Sequence, residues 1–161
     1  MTSQLLIQQL SLEDSVSYGL IREMANSDKN YRGHRDKEKT LSPSELKVIL
    51  NFNQNAISLG AFLHNELVGI ISMGWLLEES TLFGLFVTNA CRRQGIGRKL
   101  SEKVVQLAGE KASKVLKLEV LRENASALAL YESMGFSSTR RNQKSLKMIL
   151  VTHPPPYSNL R

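Results

Sequence analysis

The sequence predicts an α/β fold in which helices cover both faces of a mixed central β-sheet, mostly antiparallel with one parallel strand pair. Two observations lead to this prediction. Short apolar runs bounded by turn residues alternate with runs whose apolar residues recur at helical spacing. In addition, the stretch 81–121 reads strand–helix–strand, an order that normally places its two strands side by side and parallel. The length of 161 residues suits one domain of this kind, spanning 1–161.

The first third of the chain is predicted to hold one strand and two helices. Residues 5–10 form a short apolar strand candidate, and 12–24 form a helix because apolar residues recur there every four positions. The run Ser-Pro-Ser-Glu at 42–45 begins a second helix, since it combines a cap, proline at the first helical position and a capping-box glutamate. That helix is expected to end near Asn53, and the polar stretch 26–40 is expected to be a loop. The recurring residues of the first helix are Val16, Leu20 and Met24, with Ile21 beside them.

The rest of the chain is predicted to be mainly strands around two helices. The helices cover 98–112 and 124–134, and Gly135 closes the second one at its C-cap. Hairpins are expected before and after the strand–helix–strand unit, so the parallel pair lies in the middle of the sheet, where a ligand is sought. The predicted strands are 57–63, 66–75, 81–88, 115–121, 136–141 and 145–152.

Composition indicates a soluble cytoplasmic protein. The chain has no apolar run of ~18 residues, so no membrane span or membrane partner is expected. Its first residues lack the basic, apolar and small-residue regions of a secretion signal. Cys91 is the single cysteine, which excludes an internal disulfide and fits a reducing compartment.

The pattern of the residues disfavours two further classes of protein, metal-binding proteins and nucleic-acid binders. The histidines His34, His64 and His153 are scattered without ligand spacing, so no metal site is expected. The net charge of +6 is concentrated in 29–39 and 92–103. This charge could serve a nucleic-acid binder. However, aromatic side chains on which bases stack are not interleaved with it, so no nucleic-acid partner is expected.

A glycine-rich segment, Arg-Arg-Gln-Gly-Ile-Gly-Arg-Lys at 92–99, joins a predicted strand to a predicted helix. Gly95 and Gly97 let backbone amides approach a ligand without a Cβ in the way. The helix that follows directs unpaired N–H groups and the positive end of its dipole at the same place. The Walker spacing is absent, and Leu100 stands where the dinucleotide fingerprint needs a third glycine. The segment indicates a phosphate or pyrophosphate site, or alternatively a tight turn whose arginines serve solubility.

Two motifs in the centre of the chain follow one another as in a known family. The first has Arg or Gln, two residues, Gly, one residue, then Gly or Ala, and 92–97 fits every position. The second runs Asn, two residues, Ala, two residues, Leu-Tyr, three residues, Gly-Phe, and 124–136 fits it throughout. On these residues the chain resembles the GNAT N-acetyltransferases, and its predicted element order is similar across almost the whole chain.

This resemblance implies acetyl-coenzyme A as the acyl donor, without a metal. It implies that the backbone amides of 93–98 hold the pyrophosphate and that 85–87 pair with the pantetheine arm as an added strand would. It assigns Asn124 to the arm, and it divides the domain into a cofactor-binding core at about 81–136 and acceptor-side helices and loop at about 11–55. The cofactor-binding residues so implied are Leu85, Phe86, Val87, Arg92, Arg93, Gln94, Gly95, Ile96, Gly97, Arg98, Asn124 and Tyr131.

The family reaction is direct attack of a primary amine on the acetyl carbonyl, and the resemblance implies Tyr131 as the acid that protonates the departing sulfur. A thiol titrates near ~8.5 and a tyrosine near ~10, so this proton transfer is at most mildly uphill. The amide of Val87 is the expected donor to the oxyanion. The alternative for Tyr131 is a half-buried helical aromatic with its hydroxyl at the edge.

The general base is less determined by the sequence. The strand 82–87 lacks the acid that many family members carry there, and Glu119 on the neighbouring strand is the best substitute. Its alternative is a solvated residue paired with Lys117 or Arg122. Glu78 and Glu79 are weaker candidates, and an α-amine, which titrates near ~7.7–8.0, needs no base to be partly neutral.

The expected function is acetyl transfer to a small-molecule amine, a protein N-terminus or a lysine. Because the strand 82–87 lacks the acid that many family members carry there, a non-catalytic module that senses coenzyme A or docks a partner stays open as the alternative. A nucleophilic Cys91 would need a histidine beside it, which the sequence does not suggest. A homodimer is common among such relatives and stays open.

Overall fold

The computed structural model describes residues 4–31, 42–52 and 55–152. The predicted order of helices and strands is confirmed, with ends that differ by a few residues. The helices are α1 Ser15–Asn26, α2 Pro43–Phe52, α3 Ile96–Glu110 and α4 Ala125–Ser133. The strands are β1 Leu5–Gln9, β2 Ala56–Leu63, β3 Glu66–Leu76, β4 Glu79–Val87, β5 Val115–Leu121, β6 Ser137–Arg141 and β7 Ser145–Val151.

The strands form one seven-stranded sheet in the order β1-β2-β3-β4-β5-β7-β6. Every neighbouring pair is antiparallel except β4 and β5, which are parallel. The predicted mixed sheet with one parallel pair is therefore confirmed. The helix α3 is the crossover between the two parallel strands, as a strand–helix–strand unit requires.

The parallel pair is joined over a short distance only. The ladder between β4 and β5 runs from Glu79 opposite Val115 to Thr81 opposite Lys117, and the remaining residues of the two strands have no partners in it. Within β4, Gly84 has a φ of 69°, and the register against β3 shifts beside it. Because such an irregularity bends a strand, β4 departs from β5 and leaves one of its edges unpaired in the middle of the sheet.

Helices cover both faces of the sheet, as the sequence predicts. Neighbouring residues of β3 separate the two layers, since alternate side chains of a strand point to opposite faces. Ile71 packs in the cluster that contains Leu100 and Val104 of α3, whereas Ile70 packs in the cluster that contains Ile21 of α1. Leu100 and Val104 of α3 are completely buried.

The face of α1 that packs on the sheet differs from the apolar stripe in the sequence. Its buried side includes Tyr18 and Arg22 beside Ile21. The sheet beneath it carries Ser58 and Ser72, which hydrogen-bond to each other and to the Tyr18 hydroxyl, so a polar helix face matches a polar patch of the sheet. The three residues whose spacing predicts the helix lie on its outer side: Val16 is 63 % exposed, Leu20 56 % and Met24 54 %.

Two buried tyrosines make the fold sensitive to alkaline pH. Burial raises the pKa of Tyr18 and of Tyr131 above the ordinary value of 10.0. Above about pH 10 an unfolded tyrosine loses its proton while the folded one keeps it, so the unfolded state binds fewer protons and the free energy of unfolding falls as pH rises. For each tyrosine the slope approaches at most about 1.4 kcal/mol per pH unit, at pH values between its unfolded and its folded pKa.

Urea unfolding between pH 8 and 11 measures this effect. The free energy of unfolding of Tyr131→Phe is expected to fall less steeply with pH than that of the wild type. Lysines also titrate in this range, but they are common to both proteins and drop out of the difference. Parallel pH curves for the two proteins would show that Tyr131 does not carry the effect.

Candidate functional site

A cleft of about 920 Å³ opens where β4 and β5 diverge. Its walls are β4, the end of β5, the segment that precedes α3, and one side of α4. Among the cofactor residues implied by the sequence, those that line it are Leu85, Phe86, Val87, Arg92, Arg93, Gly95, Ile96, Gly97, Arg98, Asn124 and Tyr131. Gln94 is exposed in the same loop but is outside the lining of the cleft.

The glycine-rich segment presents free backbone amides to this cleft. Arg93 and Gly95 have φ values of 60° and 78°, so the backbone is in the left-handed conformation at two positions before α3 begins. Gly95 is the N-cap of α3 and supplies no capping side chain, and the first helical bond runs from Lys99 N to Gly95 O. The amides of the first helical turn, 96–98, therefore have no intrahelical acceptor, and they point along the positive end of the helix dipole. This arrangement suits an anion.

The structure also shows why small residues stand at two positions of this turn. A Cβ added to Gly95 would project into space with no atom within 4 Å, at a backbone angle that side-chain-bearing residues rarely adopt. A Cβ on Gly97 would lie 3.9 Å from side chains of both Leu85 and Leu130. Gly97 thus keeps open the groove between β4 and α4, and Gly95 permits the left-handed backbone angle from which α3 begins.

Arg92, the first residue of the motif, is held by the protein itself. Its Nε donates to the carbonyl oxygen of Val87 at 2.9 Å, and its guanidinium lies 5.3 Å from the centre of the Phe86 ring. Its other nitrogen pairs with Asp28 at 2.9 Å. Burial alone would raise the pKa of Asp28, but hydrogen bonds from Asn30 and Arg92 outweigh it and hold that pKa below its ordinary value. Arg92 therefore joins the end of α1 to the end of β4.

The other basic residues of the segment differ in their contacts. Arg98 hydrogen-bonds to Ser133 and so connects the start of α3 with the end of α4. Ile96 is 3 % exposed in the apolar core, so only its backbone is available to a ligand. Arg93 and Lys99 are exposed beside the free amides and add positive charge there.

The unpaired edge of β4 offers backbone groups to the cleft. Thr88 donates its amide to Val68 on β3 at 2.9 Å. Because the amides of successive strand residues point to opposite edges, the amide of Val87 points away from β3 and toward the cleft. The carbonyl of Val87 points the same way, where it accepts from Arg92. The amide of Val87 is therefore positioned to donate to a ligand.

Two residues of the second motif lie on α4 at the other side of the cleft. Tyr131 is 5 % exposed and packs edge-on against Phe136, with ring centres 5.6 Å apart. Asn124 is the N-cap of α4, and its Oδ1 accepts from the amide of Ala127 at 3.2 Å. Since the oxygen is used in this cap, the NH₂ group of Asn124 is the part that retains donors for a ligand.

Glu119 also lines the cleft, from β5. Its Oε1 accepts a hydrogen bond from Ser145 at 2.7 Å. The partners that the sequence suggested as alternatives are engaged elsewhere, because Lys117 pairs with Glu79 and Arg122 donates to the backbone of Asn142. Glu119 is thus an exposed carboxylate held by a hydroxyl rather than by a cation.

The remaining candidates lie apart from this site or outside the described residues. Glu78 and Glu79 form surface ion pairs with lysines and do not line the cleft. Cys91 lines it, but the described lining contains no histidine. His34 and His153, like most of the basic stretch 29–39, lie outside the described residues. Within those residues no cluster of three metal-ligating side chains occurs, and no helix has the length and apolarity to cross a membrane.

Sequence comparison decides the family. The profile of the Acetyltransferase (GNAT) family matches residues 21–136, which span the cleft and both motifs. The chain belongs to the GNAT family. It is an acyltransferase, and the predictions of a GNAT fold, an N-acetyltransferase and acetyl-coenzyme A as its donor are confirmed at the level of the family.

Individual GNAT relatives agree with this assignment. The ribosomal protein bS18-alanine N-acetyltransferase of Escherichia coli is 38 % identical over 109 residues, 65 % of this chain and 68 % of that protein. The crystal structure of the Escherichia coli ribosomal-protein-S18-alanine N-acetyltransferase matches with a TM-score of 0.73 at 25 % identity, over 98 % of this chain and 99 % of that one. The PaiA N-acetyltransferase from Thermoplasma acidophilum, solved with coenzyme A, matches in fold with a TM-score of 0.77 at 19 % identity, over 92 % and 99 %.

Several contacts of this GNAT site have no signal in the sequence. Asp28 and Arg92 are far apart along the chain, as are Glu119 and Ser145, and neither pair stands in a recognisable motif. The tie between Arg98 and Ser133 is of the same kind. Only the packing of α1, α3 and β7 around the cleft brings these partners together.

Proposed function

We propose that this protein transfers the acetyl group of acetyl-coenzyme A to the α-amino group of a peptide or protein N-terminus. The observation that carries the proposal is the unpaired edge of β4 beside the free amides of α3. One surface offers strand-like hydrogen bonds to an amide-containing arm, and the adjoining surface offers an anion site for a diphosphate. A ligand with both parts fits the cleft, and coenzyme A is such a ligand.

The residues of the cleft divide the work of holding the donor. Amides of 93–98 bind the diphosphate, 85–87 lie along the arm, and the NH₂ group of Asn124 donates to it. Arg92 acts through its hydrogen bond to the Val87 carbonyl, which fixes the peptide groups at the end of β4. When bound, the donor supplies an acetyl thioester, whose carbonyl is open to attack by an amine.

Tyr131 acts as the general acid in this proposal. Burial raises its pKa, so the phenol keeps its proton at neutral pH and has it available for the departing sulfur. The same apolar surroundings raise the pKa of a thiol held beside it, so the transfer stays close to balanced. The amide of Val87 donates to the acetyl oxygen, on which negative charge develops.

Glu119 is the carboxylate available to the incoming amine. Two carboxylates line the described part of the cleft, Asp28 and Glu119, and Asp28 is neutralised by Arg92. Glu119 attracts the ammonium form and accepts its proton, directly or through water. An α-amine titrates near ~7.7–8.0 and a lysine near ~10.4. An N-terminus therefore loses its proton to Glu119 more readily than a lysine does, and it is the better acceptor. The name of the Escherichia coli relative, an alanine N-acetyltransferase of a ribosomal protein, agrees with this acceptor class.

The proposal also assigns functions to parts of the chain. The whole of 1–161 acts as one N-acetyltransferase domain, with 81–136 binding the donor and 11–55 bordering the acceptor. The ion pair between Asp28 and Arg92 links the two parts, because it ties the end of the acceptor-side helix α1 to the donor site.

Release of free thiol from acetyl-coenzyme A tests the function. Peptides with a free N-terminal alanine are expected to be acetylated at least about ten times faster at pH 7.5 than the same peptides with a blocked N-terminus and one internal lysine, because less than about 1 % of a lysine is neutral there. Mass spectrometry locates the acetyl group on the product. Faster acetylation of the lysine peptides would overturn the acceptor assignment, and donor binding without thiol release from any amine would support the non-catalytic module instead.

A further inference from the structure

A row of charged side chains crosses the sheet beside the cleft. Glu119 on β5 stands directly opposite Lys147 on β7, and Lys147 stands directly opposite Arg140 on β6. Residues paired in this way share one face of the sheet. It is the face opposite to the apolar cluster of α3, because the neighbours of Lys147 on its strand, Leu146 and Met148, belong to that cluster. All three charged residues of the row are exposed.

Two members of this row are cations without a carboxylate partner. In the described ranges 4–31, 42–52 and 55–152, neither Arg140 nor Lys147 forms an ion pair. Lys147 does not pair with Glu119 although the two stand opposite each other, since Glu119 is held by Ser145. By contrast, Lys117, two residues before Glu119 on the same face, is neutralised by Glu79. Within the part of the chain that the structure describes, these two cations therefore leave positive charge free on the β7 side of Glu119.

The row is short enough for a few residues of an extended peptide to cross it. Adjacent strands lie about 4.8 Å apart, so Lys147 is one such step from Glu119 and Arg140 is two. An extended peptide advances about 3.3–3.6 Å for each residue. A peptide whose N-terminal amine lies at Glu119 and whose chain runs across β7 toward β6 brings its second and third residues within reach of the long, exposed side chains of these two cations.

We propose that Arg140 and Lys147 form an acceptor subsite that selects acidic side chains at the second and third residues of the acetylated N-terminus. This inference rests on the proposed function, because it needs a peptide whose amine occupies the cleft. Glu119 then faces the positively charged amine, while the two cations face the carboxylates of the residues that follow it. These ion pairs form at an exposed surface. They therefore contribute to the affinity for the acceptor rather than to the rate of the chemical step.

Three peptides that share an N-terminal alanine test the subsite. They carry two aspartates, two glutamines or two lysines at the second and third positions. The aspartate peptide is expected to have a kcat/KM about fivefold above that of the glutamine peptide, since two exposed ion pairs contribute modestly, and the difference should lie in KM. The preference should shrink in 0.5 M sodium chloride, because salt screens exposed charges.

Charge-reversal variants locate the preference. Arg140→Glu and Lys147→Glu are each expected to lower kcat/KM for the aspartate peptide by about fivefold and to raise it for the lysine peptide. Arg141→Glu is the matched control. Arg141 is exposed and adjacent in sequence but stands opposite Leu146, so it belongs to the other face of the sheet. This variant changes the net charge equally and is expected to keep the wild-type order of the three peptides.

Each outcome separates the subsite from the proposed function. An aspartate preference that Arg140→Glu reverses and Arg141→Glu keeps supports the subsite. Equal rates for the three peptides, a lysine preference, or an equal effect of both arginine variants overturns it while acetylation of N-termini stands. Binding of acetyl-coenzyme A, seen by calorimetry, without acetylation of any of the three peptides overturns both the peptide acceptor and the subsite.

Discussion

Replacement of Gly95 by valine is expected to weaken binding of acetyl-coenzyme A by about 100-fold or more. Gly95 has a φ of 78°, which a β-branched residue adopts only with strain, so valine is expected to shift the turn that holds the free amides of α3 in position. A diphosphate displaced from that position loses two or more charge-assisted hydrogen bonds, each contributing about 1.5–3 kcal/mol. Titration calorimetry of the wild type and the variant measures the loss.

A second variant and a control distinguish loss of the diphosphate site from loss of the folded structure. Gly97→Val also narrows the cofactor groove, but Gly97 does not have a left-handed φ, so this change does not strain the backbone as Gly95→Val does. Gly109→Ala lies near the other end of α3, where a Cβ meets no atom within 4 Å. It should stabilise the helix by about 0.5–1 kcal/mol and leave affinity unchanged. Wild-type affinity in both Gly95→Val and Gly97→Val would rule out the diphosphate site.

Replacement of Tyr131 by phenylalanine is expected to lower kcat by about 10²- to 10⁴-fold, the range of general acid catalysis. The ring fills the same space against Phe136, so the stability of the fold and the Kd for acetyl-coenzyme A should change little. The loss should therefore appear in kcat and in kcat/KM equally, as is expected when an interaction is made only in the transition state. Stopped-flow measurement of thiol release under single-turnover conditions separates this step from product release.

Tyr18→Phe is the matched control for the acid. Tyr18 is also buried and also has a raised pKa, but it packs beneath α1 and hydrogen-bonds to serines of the sheet, outside the lining of the cleft. Its replacement should lower stability because buried serine hydroxyls lose a partner, and it should leave turnover of the folded protein unchanged. Wild-type turnover in Tyr131→Phe would exclude the phenol as the acid, and a similar loss in both variants would point to destabilisation instead.

Local patterns predicted most of the fold because the information for it is local. Turn residues and apolar periodicity predict every helix and strand found, and the strand–helix–strand order predicts the parallel pair. The prediction differs most at α1, where Val16, Leu20 and Met24 lie outside and Tyr18 and Arg22 lie inside. Periodicity shows that a helix has an apolar stripe, but it does not show which patch of sheet the helix will meet, and here that patch carries serines.

The start of α3 shows a smaller difference with a functional consequence. The sequence predicts a helix from residue 98, whereas α3 begins at Ile96, directly after Gly95. The predicted bounds place Gly97 in the loop before the helix. It lies instead in the first helical turn, where the absence of a side chain opens the groove between β4 and α4.

By itself, the sequence determined the mixed sheet, the order of its elements and the two motifs that mark the GNAT family, since these are properties of neighbouring residues. Only the tertiary structure decided which groups meet at the cleft. It opened β4 away from β5, joined Asp28 to Arg92, and set Glu119 beside Ser145, with Lys147 and Arg140 in line across the strands. These contacts link residues that are distant along the chain, and strand register and helix docking, which no local pattern encodes, bring them within reach of each other.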